Sequence, residues 1–169
     1  MKNLLFTLCM FLFSAGAFAQ DEAAPSNWIT GEQESSYPGQ TIKYAVCQSS
    51  MIPEGSEEPV MVSLNVMIFR GNLNFFLSVK GDLFVVENME DISTQKTLIQ
   101  FDDAKSNRYP LVGDNNYTAQ KLSFQSNFKD KFKKGLKTAK KCSIILEFKN
   151  AGQQTFEFNV EGLDPEFLQ

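Results

Sequence analysis

From Val60 to Phe69 the chain alternates without a break. Val60, Val62, Leu64, Val66 and Ile68 fall on one side, and Met61, Ser63, Asn65, Met67 and Phe69 on the other. Successive side chains of an extended strand point to opposite faces, so period two gathers the branched apolar residues onto one face. An α-helix would scatter the same residues around its circumference. The segment is therefore a strand with one face committed to a core, and it obliges the rest of the chain to supply pairing partners.

Those partners are present. Leu73–Val79 puts Leu73, Phe75, Leu77 and Val79 on one side, and Arg70-Gly71-Asn72 is a turn, so the two runs read as a hairpin. Thr41–Cys47 alternates with Ile42, Tyr44 and Val46 on one face. Short strands are expected at Leu83–Glu87, Thr97–Asp102 and Tyr117–Phe124, and a closing pair at Cys142–Phe148 and Thr155–Val160. Ser49–Glu58 reads as a loop by composition, and Asp103–Asn116 as a polar connection. These segments predict an all-β fold, a sandwich or open barrel of about eight antiparallel strands. Its single domain is expected over residues 41–169, after a flexible lead-in at 20–40. Trp28 stands out in that lead-in and reads best as a core-edge aromatic.

The alternation fails at Ser126–Lys141. Phe128, Phe132, Gly135, Leu136 and Ala139 fall within one arc at about 100° per residue, and the seven lysines fall outside it. This predicts one amphipathic helix near the C-terminal end. Asn127 with Asp130 resembles its start, and Gly135 weakens its middle. The segment carries seven Lys and one Asp, net +6. Residues 20–169 hold 15 basic and 20 acidic side chains, so the remainder is net −11. Such asymmetry can steer an anionic partner, although runs of charge are commonly only a solvated face. The anion-binding face, if functional, comprises Lys129, Lys133, Lys134, Lys137, Lys140 and Lys141. Nucleic acid is a poor partner, because the domain is acidic overall and the aromatics Phe128 and Phe132 lie on the apolar arc, not on the lysine face.

Residues 1–19 read as a secretory signal peptide. Lys2 precedes an apolar run from Leu4 to Phe13, and Ala17-Phe18-Ala19 is a small-x-small cleavage site, so the mature chain is expected to start at Gln20. The run is too short to span a membrane, and no later segment is long and apolar enough. A periplasmic or secreted location follows as the expectation. Cys9 leaves with the signal, and an even pair in an oxidising compartment predicts a disulfide between Cys47 and Cys142. Closing that long loop is expected to contribute about 2–4 kcal/mol.

The chain contains no histidine. Ser-His-Asp and Cys-His catalysis, His-ligated haem and the usual zinc sites all need an imidazole, so none is expected. The acidic groups Glu54/Glu57/Glu58, Glu87/Glu90/Asp91 and Asp102/Asp103 lack calcium-loop spacing and read as solvated loops. A carboxylate pair serving a glycan hydrolase is the catalytic alternative. The twelve Phe of residues 20–169 read as core, or alternatively as the lining of an apolar ligand cavity. Asn116-Tyr117-Thr118 matches a glycosylation acceptor.

The closing section resembles that of the bacterial periplasmic invasion-associated locus B proteins. The segment FKDKFKKGLKTA leads into CSIILEF, a turn, QTFEFNVEGLD and the apolar-Gly-Leu motif at Val160-Glu161-Gly162-Leu163. Trp28 and Cys47 are similar to the family's early Trp and Cys. The resemblance implies an all-β periplasmic protein with a host-interaction or envelope role and no assigned catalytic residue. The sequence as a whole is read as a non-enzymatic exported binding or accessory protein. It needs no cofactor, and its partner would be a protein or an anionic envelope component.

Overall fold

The computed structural model describes residues 27–53, 57–81, 97–114, 120–149 and 151–169. Ten strands and one α-helix are formed by the described residues. The strands are β1 (Ile29–Glu34), β2 (Thr41–Met51), β3 (Val60–Phe69), β4 (Asn72–Lys80), β5 (Leu98–Phe101), β6 (Asn107–Arg108), β7 (Leu111–Asp114), β8 (Gln120–Phe124), β9 (Lys141–Phe148) and β10 (Gly152–Asn159). The helix α1 spans Ser126–Leu136, and a 3-10 turn spans Pro165–Leu168. The strands form two antiparallel sheets, ordered β1-β2-β3-β4-β8-β7 and β10-β9-β5-β6. The fold is an open sandwich, not a closed barrel.

The alternation in the sequence sets the register. Val62, Leu64 and Val66 on β3 sit between Ser49, Cys47 and Ala45 of β2 and Val79, Leu77 and Phe75 of β4. Ile144, Leu146, Phe148, Phe156 and Phe158 face them from the second sheet, and all are buried. Arg70 (φ 52°) and Gly71 (φ 71°) make the two-residue turn between β3 and β4. Two consecutive positive φ angles give the twist that a tight hairpin needs.

The lead-in differs from expectation. Ile29–Glu34 is a strand, paired along its length with β2. It forms the sheet edge and most of its side chains are exposed, so no apolar alternation marks it. Trp28 is buried, and its Nε1 donates to the Val160 carbonyl at 3.0 Å, tying this edge to the end of β10. The connection expected at Asp103–Asn116 holds β6 and β7. The strand expected at Leu83–Glu87, the acidic group Glu87/Glu90/Asp91 and the Asn116-Tyr117-Thr118 match lie outside the described residues, as do residues 1–26.

The expected disulfide is not formed. Cys47 and Cys142 enter the core from opposite sheets, both are buried, and both are free thiols. The Cys47 Sγ donates instead to the Asn159 carbonyl at 3.3 Å. An even cysteine count raises the expectation of a bridge; whether two sulfurs meet depends on the geometry with which each side chain enters the core. Burial pushes the Cys47 thiol up to about 11 from its ordinary 9.0, against a weaker opposing pull from the Gln48 backbone. Burial also pushes Cys142 up, with the like charge of ionised Cys47 and then Asp102 adding to it.

An alkaline instability follows. Below pH 9 the folded and unfolded chains both hold these protons, and the contribution is fully present. Between pH 9 and about 11 the unfolded chain sheds a proton that folded Cys47 keeps, so stability falls as pH rises. The melting temperature should drop through this window, and a Cys47→Ala, Cys142→Ala variant should drop less steeply. Parallel declines in the two proteins would contradict the assignment.

Candidate functional site

Helix α1 begins at Ser126 with Gln125 in the cap position and no side-chain cap bond. The start expected from Asn127 and Asp130 is therefore not used. The helix ends at Leu136, not Lys141. The reason lies in β5's trailing turn: Asp102 Oδ1 accepts from the backbone N–H of Lys140 at 3.0 Å and of Lys141 at 2.8 Å. The chain is thereby drawn out of the helix and into β9.

The apolar arc fills the mouth of the sandwich. Phe132 is fully buried, with ring centroids at 4.3 Å from Phe124, 5.1 Å from Phe75, 5.4 Å from Phe101 and 5.9 Å from Tyr109. Leu136 and Ala139 are buried behind it. The phenylalanines that would have lined a ligand cavity here pack upon one another. Burial raises the Tyr109 phenol, with a further contribution from Cys142.

The lysines divide into three groups that the sequence does not distinguish. Lys140 and Lys141 lie beyond the helix and pair with Glu161 (3.2 Å) and Glu157 (3.0 Å). These are exposed pairs, each contributing at most about 1 kcal/mol. Lys129 and Lys131 are the helix flanks. The Lys129 Nζ donates to Asn74 Oδ1 on β4 at 2.8 Å, and the Lys131 Nζ to Asn107 Oδ1 on β6 at 2.7 Å. Lys131 also stands 5.5 Å from the centroid of the Tyr109 ring. Lys133, Lys134 and Lys137 form the crown; among the described residues their side chains have no hydrogen-bond or ion-pair partner. Of the expected six-lysine face, Lys133, Lys134 and Lys137 make the crown, Lys129 is a tethered flank, and Lys140 and Lys141 belong to a neighbouring surface; Lys131, outside those six, is the opposite flank.

That neighbouring surface is an open groove of about 550 Å³ lined by Asp102, Asp103, Lys140, Lys141, Glu157 and Glu161 among others. Asp102 is engaged by two backbone amides, and Glu157 and Glu161 by the lysines. Glu57 and Glu58 are exposed on the loop before β3. No group of three or more His, Cys, Asp or Glu among the described residues is arranged to hold a metal ion. No described helix is long and apolar enough to cross a membrane.

The structure adds basic residues that the lysine run does not announce. Lys121 on β8 stands 4.5 Å over the Phe76 ring, on the same β4 face that carries Asn74. Arg108 follows Asn107 on β6 and is exposed. Asn74 and Asn107 lie 55 and 24 positions from the lysines they hold, so nothing in the local sequence pairs them. Comparisons with protein-family models, with curated proteins and with solved structures find no match to this chain.

Proposed function

We propose that this protein is an exported, non-enzymatic binding protein of the bacterial envelope, and that it holds an anionic component through the lysine crown. The observation that carries this reading is the division of the lysines. Four of the seven are engaged within the protein, while Lys133, Lys134 and Lys137 stand together with no counter-charge partner among the described residues, on a closely packed helix. The N-terminal signal pattern and the resemblance of the closing section to invasion-associated locus B proteins support the envelope as the setting. They leave a host-interaction role as the broader context. Three of the four groove carboxylates, Asp102, Glu157 and Glu161, are committed to backbone amides and lysines, and the aromatic cluster is filled, so neither hydrolysis nor apolar-ligand carriage draws support from the site.

The test has two parts. N-terminal sequencing of the protein recovered from the periplasmic or culture fraction should find Gln20. The full protein should be retained on washed envelope material at low salt and released as salt rises. The Lys133→Gln, Lys134→Gln, Lys137→Gln variant should lose that retention. Each change should alter stability by no more than about 0.5 kcal/mol, because surface substitutions away from packed features rarely do more. Retention that ignores these three changes would refute the reading.

A further inference from the structure

The crown is the middle of a longer basic path. At about 100° per residue around α1, Lys129, Lys133, Lys137, Lys134 and Lys131 follow one another across the outward half of the helix, with Lys129 and Lys131 at opposite margins. Their tethers agree: Lys129 reaches the six-stranded sheet through Asn74, and Lys131 the four-stranded sheet through Asn107. On the six-stranded sheet Lys121 adds a further cation, over the Phe76 ring on the β4 face that carries Asn74. Lys129, Lys133 and Lys137 also form an i, i+4, i+8 row, stepping about 6 Å along the axis at each interval. Asp130, the only carboxylate on the helix, projects from the same outward face, one turn before Lys133 and Lys134.

We infer that this belt, from Lys121 and Lys129 across Lys133, Lys134 and Lys137 to Lys131, is a binding surface for a linear acidic glycan. The inference rests on the envelope-binding reading and names its ligand. Repeated cations spread over a curved surface match a flexible chain of repeated anions, which can follow the curve. A lipid surface meets such a helix along one line only, and a helix lying in a membrane interface buries its apolar face there. Here that face is occupied by Phe75, Phe124 and Tyr109. A protein partner would be expected to find an aromatic or aliphatic anchor. The crown offers only lysines.

The experiment titrates the full protein with galacturonate, with oligogalacturonates of increasing length, and with phosphatidylglycerol vesicles at matched charge. Affinity for the oligomers should rise with length until the belt is spanned, while the monomer gives no measurable binding. The triple crown variant should bind the long oligomer at least roughly tenfold more weakly, with a salt slope lower by about 2–3, near one for each lost anionic contact. Lys129→Gln and Lys131→Gln should each weaken it less. Oligomers no tighter than monomer, vesicles bound as well as the long oligomer, or an unaffected triple variant would each overturn the inference. Retention on envelope material that is lysine-dependent but not competed by the long oligomer would also overturn it, leaving the broader reading standing. Absence of lysine-dependent retention would instead remove that reading.

Discussion

Replacing Phe132 by alanine should destabilise the protein by about 3–5 kcal/mol, the range for deleting a large buried aromatic side chain. Phe132 is fully buried and, among the described residues, is the one whose ring meets Phe75, Phe101, Tyr109 and Phe124 together. Those four come from β4, β5, the segment between β6 and β7, and β8, so the ring bridges both sheets. Its removal leaves a cavity bounded by rigid rings, which collapse poorly into the space. Phe132→Leu retains part of the volume and should lose less, about 1–2 kcal/mol. Phe128→Ala, at a half-buried ring whose aromatic contact among the described residues is Tyr109 alone, should also lose less. Urea unfolding checks the order. A loss below about 1 kcal/mol for Phe132→Ala would mean that the cluster relaxes freely around the gap.

The strands that sequence makes legible are those with one wholly buried face. Val60–Phe69 is read correctly to the residue because every second side chain enters the core. Ile29–Glu34 escapes because an edge strand with polar side chains has no face that burial must enrich. Asn107–Arg108 and Leu111–Asp114 escape because two- and four-residue strands are too short for a period to show. The helix is legible from the spacing of Phe128, Phe132 and Leu136, but its end is set by Asp102, a residue remote in sequence. The same remoteness limits the site. Lysine density marks the helix, yet which lysines remain free depends on Asn74, Asn107, Glu157 and Glu161. Cysteine number likewise predicts a bridge that the approach of the two side chains does not make.

Gly135→Ala should destabilise, although helix propensity alone predicts the reverse. Alanine is better than glycine inside a helix by about 0.8–1 kcal/mol, and read from sequence Gly135 is only a weak point. In the structure a Cβ at this position would overlap the Phe101 ring at Cε2 and Cδ2. Phe101 is one of the rings packed on Phe132, so it cannot retreat without opening that contact. Forcing an extra carbon into a packed site costs about 1–3 kcal/mol; an overlap this close takes the upper part of that range, which outweighs the propensity gain and leaves a net loss of roughly 1–2 kcal/mol. The physical cause is separable by a double-mutant cycle. With Phe101→Ala already in place the overlap is gone, and Gly135→Ala should become neutral or stabilising; the difference from its effect in the parent is the coupling energy of the pair. If Gly135→Ala raises the stability of the parent protein, the helix does not sit as closely on β5 as Phe101 requires. The lysine crown that this close seating holds rigid would then be a looser surface than the tethers at Asn74 and Asn107 imply.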